Sequence, residues 1–152
     1  MTLIHGYKNN FVCPFCGYDG PLELMGADRF PVLQKLQVIG AGRRFARCPN
    51  CKSSDKERLV YTYLKEVEDI GHLKNLNILH IAPENNLQKW LESVSSHYVA
   101  GDAFLQNQTF MGEVQFVDIR QTDFSDNMFD YIICNHVICD VKEDRKALSE
   151  IF

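Results

Sequence analysis

Four cysteines stand in two copies of the motif Cys-Pro-x-Cys, separated by 31 residues. The first copy supplies Cys13 and Cys16, and the second supplies Cys48 and Cys51. Within each copy a single tight turn lets two thiolates reach one tetrahedral ion, and Gly17 is placed to open the first turn. Four sulfur ligands leave no open position on the metal. We therefore expect a structural zinc ion rather than a catalytic one.

Two alternatives to a metal site stay open for these cysteines. A lone Cys-x-x-Cys motif is typical of redox proteins, although two matched copies favour a metal site. Four buried or accidental cysteines are the second alternative. Metal binding contributes roughly 10 to 16 kcal/mol in small modules, so we expect the cysteine-containing segment to unfold without zinc.

Basic residues surround the second cysteine pair. With Phe45 among them, they are typical of a surface that binds nucleic acid. The alternative, which we favour, is that they offset the negative charge of four thiolates around one zinc ion. The residues are Arg43, Arg44, Arg47, Lys52, Lys56 and Arg58.

The composition is that of a soluble globular chain. Of the 152 residues, 45% are hydrophobic and 24% are charged. No apolar run approaches the roughly 20 residues that span a bilayer, so we expect no membrane association. Residues 1–10 lack a signal-peptide pattern, and we therefore expect a cytoplasmic protein, in which disulfides are rare.

The two halves of the chain carry opposite charge. Residues 1–75 contain 11 basic and 8 acidic side chains, whereas residues 76–152 contain 5 and 12. Such asymmetry indicates modules with different tasks. We expect a zinc-ribbon-like module over residues 1–54, a linking helix over residues 55–75 and a third segment over residues 76–152.

Local signals place short elements in the first half. Residues 36–39 and 44–47 suit short strands. Ser54 and Glu57 form a capping box, in which each side chain bonds the backbone amide of the other. The apolar spacing that follows predicts a helix that ends near Gly71.

The second half alternates apolar strands with amphipathic helices. We expect strands over residues 77–82, 98–102, 113–119 and 129–135, the last buried on both faces. Helices are expected over residues 84–94 and 140–152. The pattern predicts an α/β fold with a partial, doubly wound, Rossmann-like parallel sheet of about four strands.

The loop between the first strand and the first helix of the second half indicates which class of cofactor the chain can bind. In many nucleotide-binding folds an acid at the tip of the second strand binds ribose hydroxyls, and Asp102 has that position. The first loop, residues 82–86, contains no glycine, although a pyrophosphate cradle needs glycines for close backbone approach. NAD and ATP are therefore disfavoured. S-adenosylmethionine, which has no phosphate, tolerates such a loop.

The second half resembles class I S-adenosylmethionine-dependent methyltransferases, and the chain looks closest to bacterial members with an N-terminal Cys-Pro-x-Cys zinc-ribbon-like segment. The family implies the strand order 3-2-1-4. The matching stretches are LHIAPE at residues 79–84, YVAGD at 98–102, VDI at 117–119, FDYIICNHV at 129–137 and DRKAL at 144–148.

The resemblance also implies roles for individual residues. Residues 82–84 (Ala82, Pro83 and Glu84) would border the methionine part of the cofactor, with Glu84 on its amino group. Asp102 would hold the ribose. Asp118 and the Ile119 amide would read the adenine edge. Asn135 and His136 would face the sulfonium and the methyl acceptor.

The catalytic assignment is the least determined. Methyl transfer depends mainly on positioning, and a general base is needed only where the acceptor must lose a proton. His136 is the candidate base, against the alternative of a structural histidine. Cys134 and Cys139 are methyl acceptors, a second metal pair or, as we prefer, small apolar residues.

The chain departs from the family pattern in two places. Residues 137–140 replace a common Glu-His pair, and the sequence stops at Phe152, where the family continues into three further strands. We expect the strand over residues 129–135 to form an open edge and to support a homodimer. The resulting prediction is a zinc-containing methyltransferase, active or degenerate, with an unknown acceptor. The alternative is a non-catalytic module that binds nucleic acid or protein.

Overall fold

The structure is a computed structural model that describes residues 11–26, 31–36, 44–68, 75–107, 110 and 112–152. The chain divides into two compact units, Met1–Thr62 and Tyr63–Phe152. The expectations for residues 1–10, for Arg43 and for residues 37–39 fall outside the described residues. The helix that was expected to end near Gly71 ends at Glu66 instead, and the two residues after it are not helical.

Two short antiparallel pairs form the sheets of the first unit. The first pairs β1 (Phe11–Val12) with β2 (Asp19–Gly20), and the second pairs β3 (Glu23–Met25) with β4 (Arg44–Arg47). The strand expected over residues 44–47 is thereby confirmed.

Helix α1 (Pro31–Leu36) corrects one expectation of the sequence. Leu36 ends this helix instead of beginning a strand. Pro31 stands at the first helical position, where its fixed φ favours a helix and its missing N–H costs no hydrogen bond.

Helix α2 (Asp55–Glu66) begins at the expected capping box. The Glu57 amide donates to Ser54 Oγ at 3.2 Å, and the Ser54 amide donates to Glu57 Oε2 at 3.3 Å. Both bonds satisfy backbone groups that have no partner inside the helix. The first turn of α2 is therefore fixed directly after the second Cys-Pro-x-Cys motif.

The second unit contains a four-stranded parallel sheet in the order β7-β6-β5-β8. In terms of chain order within this sheet, that is the expected 3-2-1-4. The partial Rossmann-like α/β fold is thereby confirmed. The elements are β5 (Asn77–Ile81), α3 (Asn85–Val94), β6 (His97–Asp102), β7 (Gln115–Phe116), β8 (Tyr131–Cys134) and α4 (Asp144–Ile151).

Packing in the second unit is centred on β5. Leu79 and Ile81 are buried together with Val117, Ile119 and Ala147, the last from α4. Strand β5 pairs with β6 on one side and with β8 on the other, so its backbone lies inside the sheet. Its carboxyl end lies where the loops of such a sheet gather. None of the helices in the described part of the chain has the length and apolarity that a membrane crossing requires.

Two element boundaries and the burial of one strand differ from expectation. The third strand spans only Gln115–Phe116. The expectation that the fourth strand is buried on both faces is wrong, because Ile133 is the one buried residue of β8 and the other three are half-buried. Helix α4 begins at Asp144 because a separate 3₁₀ turn, Ile138–Asp140, is followed by extended backbone at Val141.

The close packing at Gly101 in β6 predicts that Gly101→Ala destabilises the second unit. An added Cβ would lie 2.7 Å from Val117 Cβ, and it would also clash with Val117 Cγ2. We expect a loss of about 1 to 3 kcal/mol in the free energy of unfolding, measured by denaturant titration with Trp90 fluorescence. The double variant with Val117→Ala should lose less than the sum of the single losses. Additive losses would contradict the clash.

Candidate functional site

The first Cys-Pro-x-Cys motif folds as a tight turn closed by backbone hydrogen bonds. The Gly17 amide donates to the Cys13 carbonyl at 2.8 Å, and the Cys13 amide donates to the Tyr18 carbonyl at 2.8 Å. Gly17 has φ 69°, a left-handed conformation that glycine adopts without strain. The role expected of Gly17 is confirmed by this geometry.

The second motif repeats the same turn with different residues. The Lys52 amide donates to the Cys48 carbonyl at 2.9 Å, and the Cys48 amide donates to the Ser53 carbonyl at 3.0 Å. Lys52 takes the place of the glycine, with φ 61°. Sequence reasoning treated Lys52 only as a surface charge and missed this backbone role. Its side chain pairs with Glu23 at 2.8 Å.

The two turns bring all four sulfurs together. The Sγ atoms of Cys13, Cys16, Cys48 and Cys51 lie within 4.8 Å of one another. The Cys13–Cys51 and Cys16–Cys48 sulfurs are each 3.6 Å apart. Zinc–sulfur bonds of about 2.3 Å in a tetrahedron place sulfurs about 3.8 Å apart. The donor set therefore fits a tetrahedral zinc ion, and the separations are too long for disulfides.

Cys16 and Cys51 differ in acidity in the absence of metal. Burial acts to raise the pKa of Cys16, but hydrogen bonds from the Tyr18 amide, Asn50, Cys48 and Cys51 lower it to about 6. Burial raises the pKa of Cys51 to about 12. Full deprotonation of the cluster therefore requires a cation, as metal binding with proton release supplies.

The basic residues near the second motif occupy different environments. Arg44 forms a bidentate pair with Asp55, with N–O distances of 2.7 and 2.8 Å. Arg58 is buried, whereas Arg47 and Lys56 are exposed. The cluster is thus not one uniform surface, and nucleic-acid binding stays a prediction.

A cavity of about 620 Å³ lies at the carboxyl ends of the parallel strands in the second unit. It gathers five of the residues singled out from the sequence. Pro83, Glu84 and Asn135 are not among its lining residues. The five are Ala82, Asp102, Asp118, Ile119 and His136.

Asp102 ends β6 at this cavity and is 3% exposed. Its Oδ1 accepts a hydrogen bond from the Phe104 amide at 2.6 Å. This bond holds the carboxylate at the strand tip. A buried, oriented carboxylate can accept hydroxyl hydrogens from a ligand at far lower reorganisation cost than one on a mobile loop.

Two non-glycine residues with left-handed backbone border the cavity. Ala82, after β5, has φ 51°, and His136, after β8, has φ 56°. Such conformations cost of order 1 to 3 kcal/mol and occur where surrounding structure holds them, often at functional sites. The sequence analysis singled out both residues but missed their left-handed backbone, because neither is a glycine.

Glu84 lies in a polar network beside the cavity. Its Oε2 is 3.0 Å from Nε2 of the fully buried His80, and its Oε1 accepts from Asn135 Nδ2 at 3.3 Å. His80 Nδ1 is 2.9 Å from the Tyr98 hydroxyl. Burial acts to raise the pKa of Glu84, but the hydrogen bond and the electrostatic interaction with His80 lower this pKa. Both carboxylate oxygens of Glu84 thus have partners in the protein.

Arg120 controls the environment of Asp118. The guanidinium binds Asp118 through Nη2 at 2.6 Å and Glu143 through Nη1 at 3.0 Å. This contact with Arg120 lowers the pKa of Asp118 to about 2. Arg120 also lines the cavity, although sequence reasoning did not single it out. The opposite charges of Asp118 and Arg120, two residues apart in the sequence, were the signal from which this contact could have been predicted.

The Asp118–Arg120 contact predicts a measurable titration. By NMR, Asp118 should titrate near pH 2, and Arg120→Met should raise its pKa toward the ordinary value of about 3.9. The lowered pKa means that the contact stabilises the fold above about pH 4, and that this contribution is lost as the pH falls toward 2. Arg145→Met is the control and should leave the pKa unchanged. An ordinary pKa in the parent chain would contradict the contact.

Most of the second unit is similar to a known protein family. Residues 86–152 match a family model described as a methyltransferase domain, a span that begins in α3 and includes β6, β7, β8 and α4. No curated protein and no solved structure is significantly similar to the chain. The resemblance inferred from the sequence is therefore confirmed: residues 86–152 are similar to class I S-adenosylmethionine-dependent methyltransferases, and the chain also contains a cluster of four cysteines.

Proposed function

We propose that this chain is an S-adenosylmethionine-dependent methyltransferase, or a methyltransferase-like protein that binds this cofactor, with a structural zinc site. The observation that carries the proposal is the cavity at the carboxyl ends of the parallel strands, which is lined mainly by residues of the segment that matches a methyltransferase domain. Ligands of open α/β sheets bind at this edge. The size of the cavity, about 620 Å³, suits a ligand the size of a nucleoside derivative.

Asp102 would hold the cofactor through its ribose hydroxyls, since its buried carboxylate is already oriented at the strand tip. The bound cofactor would supply an electrophilic methyl group. Ala82, whose backbone is left-handed, follows β5 and lines the same cavity. The protein's task in such chemistry is to position the reacting groups.

Three of the cofactor contacts that were expected from the sequence would require side chains to leave the partners they have in the structure. Glu84 and Asn135 bond each other and do not line the cavity. Contact of Glu84 with the methionine part, or of Asn135 with the sulfonium, would therefore require a change of partners. The Asp118 carboxylate is bound by Arg120, so an adenine would compete with a guanidinium for it. We therefore rest the assignment of cofactor contacts on ribose binding by Asp102.

His136 is exposed and lines the cavity, where it would act as a general base for an acceptor that must lose a proton. Cys134 is half-buried, and burial raises the pKa of its thiol, which favours the apolar role over that of a methyl acceptor. Cys139 is exposed and donates to the His136 carbonyl at 3.5 Å. The acceptor remains unassigned.

The four cysteines would hold zinc in a closed, structural site, because their number and spacing complete a tetrahedron. Among the described residues of the first unit few apolar side chains are buried, and these include Ala46 and Tyr61. Folding of such a small module is commonly coupled to metal binding.

A binding module without catalysis is the second candidate. It is favoured by Phe45, 49% exposed, between the exposed Arg47 and the half-buried Arg44. An exposed aromatic ring among cations suits single-stranded nucleic acid. Steep salt dependence of RNA binding would support it. Homodimerisation through the edge of β8 likewise stays a prediction.

Calorimetry with S-adenosylmethionine and its demethylated product tests the proposed function. We expect binding at one site per chain, and Asp102→Ala should weaken it roughly 10- to 100-fold, because hydrogen bonds to a charged group are lost. Asp123→Ala is the matched control, since Asp123 is exposed and does not line the cavity. No binding heat, or equal affinity for the Asp102 variant and the parent, would refute cofactor binding at this cavity.

Metal removal tests the zinc site. We expect one zinc ion per chain by elemental analysis, and chelation should unfold the first unit, seen as loss of its dispersed amide NMR signals. Cys48→Ser should have the same effect. Cys139→Ser, which changes an exposed cysteine outside the cluster, should leave the zinc content unchanged. A first unit that keeps its dispersed signals without metal would show that the ion is not structural.

A further inference from the structure

Arg58 is a buried cation in the first unit. The residue is 6% exposed, and its guanidinium lies 4.7 Å from the centre of the Phe11 ring. None of the ion pairs between described residues includes Arg58. Burial of a guanidinium without a compensating negative charge is costly, so the position of Arg58 calls for negative charge close by.

Hydrogen bonds lead from Arg58 toward the sulfurs. Nη1 donates to the Ser53 carbonyl at 2.6 Å and to Ser53 Oγ at 3.1 Å, and Nη2 donates to the Ala46 carbonyl at 2.8 Å. These three bonds fix the plane of the guanidinium. Carbonyl groups satisfy its hydrogens but do not neutralise its charge.

Ser53 connects this guanidinium to two of the four cysteines. Its Oγ is 3.2 Å from Cys51 Sγ and 3.6 Å from Cys13 Sγ, and the residue is 0% exposed. While Cys51 is a thiol, its Sγ donates to Ser53 Oγ. A metal-bound thiolate has no hydrogen to donate, so the Ser53 hydroxyl, which accepts from Arg58, would then donate its own hydrogen to sulfur. A hydroxyl polarised by a cation is a good donor to a thiolate.

We infer that Arg58 and Ser53 form the outer shell of the zinc site: Arg58 offsets the negative charge of the four thiolates, and Ser53 donates a hydrogen bond to their sulfurs. The inference rests on the proposed zinc binding. Both are positioning residues, since neither would touch the metal. The inference assigns this role to Arg58 and not to the exposed Arg47 and Lys56, although the sequence analysis placed all three in one basic cluster.

Competition for zinc between the whole chain and a chromophoric chelator tests this outer shell. Arg58→Met keeps a long apolar stem and removes the charge, and it should lower zinc affinity roughly 10- to 100-fold. Arg58→Lys should restore part of the loss, because it returns the charge. Ser53→Ala should lower the affinity more than Ser54→Ala, which removes a helix cap on the neighbouring residue without touching a sulfur.

The outcomes separate the inference from the zinc site itself. A parent chain that takes up no zinc would refute the proposed site and the inference together. A parent that binds zinc, with Arg58→Met at parental affinity or Arg58→Lys no better than Arg58→Met, would overturn the inference alone. If neither Arg58 variant folds in saturating zinc, the serine pair decides, and equal affinities of Ser53→Ala and Ser54→Ala would overturn it.

Discussion

The convergence of four sulfurs from two distant turns is the constraint on which the first unit depends. Each turn is built by the same pair of backbone hydrogen bonds, from Gly17 or Lys52 to the first cysteine of its motif and from that cysteine to the fifth residue after it. The strands of this unit are two to four residues long, too short to hold a fold by themselves. What joins the two turns is the sulfur cluster.

The second unit is stabilised by different interactions. Its parallel sheet is held by strand pairing and by apolar packing around β5, and its strand tips are left to carry polar groups. Backbone strain and charge pairing concentrate there, at Ala82, at His136 and in the contact between Asp118 and Arg120. That concentration at one cavity, rather than any single side chain, is what makes the strand tips a candidate binding site.

Local signals in the sequence were sufficient for much of this. The two Cys-Pro-x-Cys motifs, the capping box at Ser54 and the strand ending at Asp102 each depend on residues close in sequence, and the structure contains all of them. The strand order came from the family resemblance. Features that depend on tertiary contacts could not be predicted from the sequence. The burial of Arg58 depends on β4 and Phe11, and the left-handed backbone at Lys52 and Ala82 occurs without the glycine that usually announces it.

X-ray absorption at the zinc edge of the purified chain is the most direct test of the sulfur cluster. The arrangement of Cys13, Cys16, Cys48 and Cys51 predicts a first shell of four sulfurs at about 2.3 Å, with no nitrogen or oxygen ligand. A shell with fewer than four sulfurs, or with nitrogen or oxygen scatterers at about 2.0 Å, would contradict a closed tetrathiolate site.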